Sequence, residues 1–258
     1  MSMNHPPISR RDEPRFRDES HRRRLAAAFQ DQGEDYDRLR PGYPDAVLEA
    51  LPATARTAVD LGAGTGKLSR ALAERGLAVT AVDTSAAMLE VSAARGPGIT
   101  TRVAPAEDTG LPAASTDLVT VAQAWHWFDA EAASLEVRRL LRPGGTLALI
   151  WNMLDVTIPW VHRLSRIMHA GDIHREDFTP TAGAGFSLDR RFVHEWEDPM
   201  PTGDVIDLAR TRSYLASAPP ERRDRVLGNL DWYLHDHLGH TPGEVIGVPY
   251  RTDLFLYR

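Results

Sequence analysis

The sequence predicts an α/β fold, a Rossmann-like, doubly wound and mostly parallel sheet. Between residues 57 and 152, short apolar runs alternate with helix-like segments, which is typical of βαβ units. The first apolar run ends in three glycines within five positions, Gly62, Gly64 and Gly66, and the second run ends at Asp83. Ligands of open parallel sheets bind beyond the carboxyl ends of the strands, so we expect a ligand site at that edge.

The predicted strands of this core are short runs rich in β-branched residues, as expected for parallel strands that are covered on both faces. They cover residues 57–62, 77–83, 99–104, 116–124 and 146–152. The end of the chain, YRTDLFLYR, alternates between polar and apolar residues. It predicts a further, antiparallel strand that completes the sheet.

Helices are predicted between these strands, over residues 67–76, 85–95 and 131–145. The first has apolar residues at helical spacing and stops at Gly76. The second is capped by Thr84 or Ser85 and ended by a glycine. The third is amphipathic and precedes the last core strand.

The composition is ordinary for a globular protein, with 42% apolar and 26% charged residues. A formal net charge of −6 argues against a general nucleic-acid binder, which needs a basic surface. The lack of cysteine excludes disulfides, thiolate metal sites and a cysteine nucleophile. We expect a cytoplasmic monomer or homodimer that binds neither membrane nor nucleic acid.

The spacing of the glycines disagrees with two common nucleotide-binding motifs. A dinucleotide-binding G-x-G-x-x-G loop that starts at Gly62 would need a third glycine at Lys67. A P-loop that ends at Gly66 and Lys67 would need a glycine at Leu61 and a hydroxyl at Leu68. What remains is an acidic residue, Asp60, followed by G-x-G-x-G.

This pattern resembles the first motif of the class I S-adenosylmethionine-dependent methyltransferases. The resemblance implies that Gly62, Gly64 and Gly66 admit the methionine end of the cofactor, and that Asp60 anchors their loop. It implies that Asp83, about twenty residues after the first glycine, binds the ribose hydroxyls.

Further segments resemble the same family through residue 150. They are TSAAML with Met88, APAEDTGLP with Ala106 and Glu107 beside the adenine, Ala124 after the fourth strand, and LLRPGGTLALI. The family often has an aspartate where this chain has Pro105. Adenine recognition is therefore assigned to the backbone at Ala106 and to Glu107 or Asp108.

Two stretches, YDRLRPGYP and AQAWHWFD, resemble the small-molecule branch that includes trans-aconitate methyltransferase, and TRSYLAS over residues 211–217 resembles its later helical region more loosely. The resemblance implies that Tyr36 lies over the cofactor and that several residues lie on the substrate side. These are Arg40, Tyr43, Trp125, Trp127, Arg212 and Tyr214. Arg40 can also be part of a surface turn, and the tryptophans can be core residues.

The arginines of residues 1–22 are interleaved with acidic residues, which predicts a flexible extension, and we expect one domain over residues 23–258. Residues 23–54 are its N-terminal helical cover, and residues 55–152 are the cofactor-binding core. Residues 153–258 supply helical elaborations on the substrate side, over the pocket, and the final strands.

The predicted function is methyl transfer from S-adenosylmethionine to a small organic acceptor, through a carboxylate or a hydroxyl. A carboxylate needs no base, whereas a hydroxyl, an amine or a carbon acid would need one, and His126 is the candidate; the alternative is that His126 only lines the pocket. The alternatives are a non-catalytic S-adenosylmethionine-binding regulator, an RNA methyltransferase and an NAD-dependent oxidoreductase. No metal is expected, since the histidines of HDHLGH are typical of a helix end.

Overall fold

The computed structural model describes residues 33–170, 173–183 and 185–258. The extension predicted over residues 1–22, and the start of the predicted helical cover, lie outside the described residues.

The described chain contains a seven-stranded sheet with the strand order β3-β2-β1-β4-β5-β7-β6. The strands are β1 (Thr57–Leu61), β2 (Ala78–Asp83), β3 (Thr100–Val103), β4 (Thr116–Ala122), β5 (Leu141–Leu154), β6 (Leu188–Pro201) and β7 (Val245–Tyr257). The α-helices are α1 (Gly33–Leu39), α2 (Asp45–Glu49), α3 (Lys67–Glu74), α4 (Ala86–Arg95), α5 (Ala130–Leu140), α6 (Pro159–Ile167), α7 (Thr202–Leu208), α8 (Ser213–Ala216) and α9 (Pro220–Trp232). Short 3₁₀ turns span Trp125–Trp127 and Ala209–Thr211, and a π-helical turn spans Tyr233–His237.

The first five strands form the predicted parallel core. β1 pairs in parallel with β2 and with β4, β2 pairs with β3, and β4 pairs with β5. In this register Leu61, the last residue of β1, lies opposite Val82, one residue before the end of β2. The loop that follows β1 therefore starts beside Asp83.

The C-terminal strands run antiparallel, as predicted. Ser187 and Arg258 exchange both backbone hydrogen bonds, at 2.8 and 3.0 Å, just outside the start of β6 and the end of β7. The N–H of Thr202 donates to the carbonyl of Glu244 at 2.9 Å, just outside the opposite strand ends. The sheet is thus completed by a long antiparallel pair, β6 and β7.

The predicted end of the third core helix was wrong. Helix α5 ends at Leu140, and the RPGG segment belongs to β5, not to the helix. Pro143 cannot donate a helical hydrogen bond, and Gly144 has a φ of +82°. The same proline and glycines that end the helix start the strand.

The chain forms two compact units, each with its own core. Of the residues described, the first contains 33–40 and those within Met153–Phe178 and Glu195–Arg251; the second contains those within Pro41–Asn152, Thr179–His194 and Thr252–Arg258. Leu164, Val205 and Leu230 lie in the core of the first unit. Leu72, Leu118 and Ile150 lie in the core of the second.

Across the ranges given above, no helix combines the length and the hydropathy that crossing a bilayer requires. The same residues contain no group of three or more His, Asp or Glu side chains that could hold a metal ion. In the histidine-rich run, His235 lies 3.0 Å from the Asp231 carboxylate and 3.1 Å from the Thr202 hydroxyl. His240 lies 3.3 Å from Glu244.

Candidate functional site

Asp83 and the glycine loop lie together at the carboxyl edge of the sheet. The Oδ2 atom of Asp83 accepts a hydrogen bond of 2.9 Å from the backbone N–H of Gly64. Its Oδ1 atom accepts one of 2.8 Å from the N–H of Ser85, the residue that caps helix α4. The structure therefore brings the acid that ends β2 into direct contact with the bend that follows β1.

The environment of Asp83 affects its titration in two opposite ways. Burial raises its pKa, and the hydrogen bonds from Ser85 and Gly64 oppose this shift without cancelling it. A carboxylate offers about four acceptor positions. Two backbone N–H donors leave it able to accept further hydrogen bonds from a ligand's hydroxyl groups.

The three glycines of the loop have different surroundings. A Cβ at Gly62 would lie 2.6 Å from the Cβ of Ala124 and 3.0 Å from the Phe128 ring, and one at Gly66 would lie 2.1 Å from the Ser92 hydroxyl. At Gly64 no atom lies within 4 Å of such a Cβ. Gly62 and Gly66 thus permit close packing, whereas Gly64 faces open space beside Asp83.

Asp60 is buried beneath this edge, with only 1% of its surface exposed. Its carboxylate accepts hydrogen bonds from the Ser69 hydroxyl at 2.6 Å and from the Thr120 hydroxyl at 2.8 Å. Burial raises its pKa to about 6, against the opposing effect of these hydroxyls. Through these hydrogen bonds Asp60 connects β1 to β4 and to α3, the helix that follows the glycine loop.

The predicted adenine segment also reaches this edge. The N–H of Ala104 donates to the carbonyl of Asp83 at 3.1 Å, which places the segment after β3 next to β2. Ala106 is buried, and the Glu107 carboxylate accepts from the N–H of Asp129 at 2.9 Å. Met88 is buried in the first turn of α4, where its N–H donates to the Ser85 hydroxyl.

The segment after β4 contains the aromatic residues of the predicted substrate side. Trp125 is buried, and its Nε1 donates to the Thr181 carbonyl at 3.0 Å. Its ring meets Phe128 edge-on, with 6.0 Å between centroids. His126 and Trp127 are half-buried neighbours, with 5.1 Å between their rings. Trp125 therefore packs into the second unit, while the role of His126 stays a prediction.

Comparison with known proteins agrees with this geometry. A family model described as a methyltransferase domain matches residues 59–149. An uncharacterized methyltransferase of Mycobacterium tuberculosis strain H37Rv is 39% identical over 233 residues, which are 90% of this chain and 95% of that protein. The chain belongs to the class I S-adenosylmethionine-dependent methyltransferases.

Two further relatives of this methyltransferase support the assignment. An uncharacterized methyltransferase of Schizosaccharomyces pombe is 38% identical over 218 residues, covering 80% of this chain and 87% of that protein. A solved structure named as a type II methyltransferase from Anaeromyxobacter dehalogenans has 30% identity and a TM-score of 0.66, over 84% of this chain and 97% of that one. These comparisons establish the family, and the trans-aconitate branch remains a prediction.

Four predicted residues of the methyltransferase, Tyr36, Arg40, Arg212 and Tyr214, belong to the first unit. The Arg40 guanidinium lies 5.1 Å from the Tyr36 ring centroid and donates to the hydroxyl and the carbonyl of Thr211 at 3.0 and 2.9 Å. Arg212 is buried, and Tyr214 stacks on His169 with 4.0 Å between rings. Arg40 therefore serves in the packing of its own unit. Its place on the substrate side stays a prediction.

Tyr43, the remaining predicted substrate-side residue, belongs to the second unit and packs against its core. The methyltransferase also has a cavity of about 370 Å³ within the first unit. It is lined by Met153, Leu154, Asp155, Val156, Thr157, Ile173, His174, Arg175, Glu176, Asp177 and Arg251. None of these residues was singled out from the sequence as a binding residue.

Two further polar residues of the second unit were not among the predicted site residues. Gln123 directly follows β4 and has a φ of +59°, and Asn152 is a buried residue of β5. The signal available for Gln123 was its place between a buried strand and the WHWF run. Nothing in the local sequence distinguishes Asn152, because its partners lie far away along the chain.

Proposed function

We propose that this methyltransferase uses S-adenosylmethionine to methylate a small organic acceptor at an oxygen. The observation that carries the donor part of the proposal is the hydrogen bond between Asp83 and Gly64, next to the open space at Gly64. A carboxylate at the end of the second strand and a loop without side chains suit a nucleoside that carries an amino acid.

Different residues at this edge bind different parts of the donor. Asp83 accepts hydrogen bonds from the ribose hydroxyls, and the backbone of the glycine loop admits the methionine end. The segment with Ala106 and Glu107 lies beside the adenine. When bound, S-adenosylmethionine supplies a methyl group on a positively charged sulfur, which leaves as the neutral thioether of S-adenosylhomocysteine.

The chain's role in the chemistry is alignment and the exclusion of water. With the donor held at this edge, an acceptor oxygen would bond to the methyl carbon as the carbon–sulfur bond broke, and the electron pair of that bond would remain on sulfur. A carboxylate acceptor loses no proton in this reaction. A hydroxyl acceptor loses one, and His126 is the residue proposed to take it.

One observation supports a small acceptor over RNA. The net charge of −6 disfavours RNA, whose phosphates require a basic surface.

To test this proposal, the protein is incubated with a metabolite extract and with S-adenosylmethionine labelled in its methyl group. Mass spectrometry then follows S-adenosylhomocysteine and labelled products, with total RNA as a parallel acceptor and the Asp83→Ala variant as the control. We expect label in small acidic or hydroxylated products of the wild type alone. Label in RNA would contradict the acceptor class, and binding of the donor without any S-adenosylhomocysteine formation would favour the regulator.

A further inference from the structure

Gln123 adopts a backbone conformation that is uncommon for a residue with a side chain. Its φ is +59°, in the left-handed region. Two hydrogen bonds hold it there: its N–H donates to the Ile150 carbonyl at 2.9 Å, and its Nε2 donates to the Asn152 carbonyl at 2.6 Å. Such outliers persist only where the surroundings enforce them, and they cluster at functional sites.

The position of Gln123 links this conformation to the glycine loop. The next residue, Ala124, lies so close to Gly62 that a Cβ there would be 2.6 Å from its own Cβ. Phe128, at the end of the same turn, approaches Gly62 to 3.0 Å by the same measure. The left-handed bend at Gln123 therefore sets where the segment of residues 124–128 meets the loop.

Asn152 extends the same arrangement to a second segment. Its Nδ2 donates to the Gly42 carbonyl at 2.8 Å, and its Oδ1 accepts from the Thr252 hydroxyl at 2.6 Å. A carbonyl can only accept, so the amide nitrogen must face Gly42 and the amide oxygen must face Thr252. Asn152 is 3% exposed and thus holds the turn that carries Tyr43 in one orientation.

We infer that Gln123 and Asn152 are positioning residues for the methionine end of the donor. The inference rests on the proposed function. Gln123 fixes the segment of residues 124–128 against Gly62, and Asn152 supplies the carbonyl that holds Gln123. Neither residue acts on the adenosine end, which belongs to Asp83 and to the segment after β3.

The test compares the affinities of two ligands for Gln123→Glu, which keeps the size of the side chain but cannot donate to the Asn152 carbonyl. Calorimetry measures the Kd of S-adenosylhomocysteine and of adenosine. We expect the first affinity to fall at least about tenfold, because small misplacements at a binding edge have large effects. The affinity for adenosine should change less than about twofold, because Gln123 does not act on the adenosine end.

Three further variants sharpen this test. Asn229→Asp makes the same amide-to-acid change at an exposed position of α9 and should leave both affinities unchanged. Gln123→Met keeps the length of the side chain without adding a charge. It should show the same selective loss of affinity for S-adenosylhomocysteine, and it replaces Gln123→Glu if that variant does not fold. Gln123→Gly accepts the left-handed φ without the amide, and it too should lose affinity for S-adenosylhomocysteine.

An unchanged affinity of Gln123→Glu and Gln123→Met for S-adenosylhomocysteine would overturn the inference while the proposed function stands. An equal loss for both ligands would also overturn it, because it would show a general loss of structure. A wild type that binds neither ligand would instead refute the proposed function, and the inference with it.

Discussion

At the scale of single residues, Asp83 carries most of the proposed donor site. Its carboxylate accepts from Gly64 and Ser85, and both bonds come from backbone groups that remain in a variant. We predict that Asp83→Ala keeps the fold and weakens S-adenosylhomocysteine binding at least about a hundredfold, since hydrogen bonds to a charged group contribute roughly 1.5–3 kcal/mol each.

Calorimetry and circular dichroism check this prediction together. Asp224→Ala, at an exposed position of α9, is the matched control and should bind like the wild type. A folded Asp83→Ala variant with unchanged affinity would remove Asp83 from the site.

Asp60 predicts a pH dependence of stability. Its pKa in the folded protein is about 6, above the ordinary value of 3.8, so the folded state binds the proton more tightly than the unfolded chain. Ionised Asp60 therefore lowers the free energy of unfolding at neutral pH, and this effect lessens as the pH falls through 6 toward 4.

As the pH falls from 7 to 5, we expect protonation of Asp60 to raise the free energy of unfolding by about 1 kcal/mol. Asp60→Asn should not show this rise. Urea unfolding of both proteins across that pH range measures it. Identical pH profiles would show that Asp60 titrates near its ordinary value.

At the scale of elements, the glycine loop and α4 approach each other at Gly66 and Ser92. The Ser92 hydroxyl occupies the space that a Cβ at Gly66 would need, and Gly66 has a φ of +77°. Gly66→Ala should lower the free energy of unfolding by at least about 2 kcal/mol, from the clash together with the roughly 1–2 kcal/mol cost of the left-handed conformation.

The double variant Gly66→Ala with Ser92→Gly separates the two contributions. Removing Ser92's side chain removes the clash and should restore part of the lost stability, leaving the conformational contribution. Denaturant unfolding of the single and double variants measures the difference. If the double variant loses more free energy of unfolding than Gly66→Ala and Ser92→Gly lose together, the two residues do not clash as described.

Local sequence was sufficient for the elements whose signals lie within a few residues. The core strands and the bend after β1 follow from apolar runs and glycine spacing, and the contact between Asp83 and Gly64 follows from the parallel pairing of neighbouring strands. The positioning role of Asn152 could not be predicted in this way. Its partners Gly42 and Thr252 lie 110 and 100 residues away along the chain.

At the scale of the whole molecule, the substrate side was harder to predict than the donor side. The donor residues sit on consecutive βα units of one compact unit. By contrast, Tyr36, Arg40, Arg212 and Tyr214 belong to the other unit and engage in its internal packing. Acceptor pockets depend on such variable segments, whose tertiary packing no local pattern encodes.

Donor binding should stabilise the whole chain by mass action. At a concentration one hundred times its Kd, S-adenosylhomocysteine should add about 2.7 kcal/mol to the stability of the wild type. Thermal unfolding should then shift upward by several degrees in the wild type, and by no more than about one degree in Asp83→Ala at the same concentration. Equal shifts in both proteins would point to binding elsewhere.

A crystal structure of the complex with S-adenosylhomocysteine would show directly where the donor binds. We expect both ribose hydroxyls within hydrogen-bonding distance of the Asp83 carboxylate, and the homocysteine end against the backbone of Gly62–Gly66. A nucleoside bound away from Asp83, or a homocysteine end that does not touch the glycine loop, would contradict this expectation.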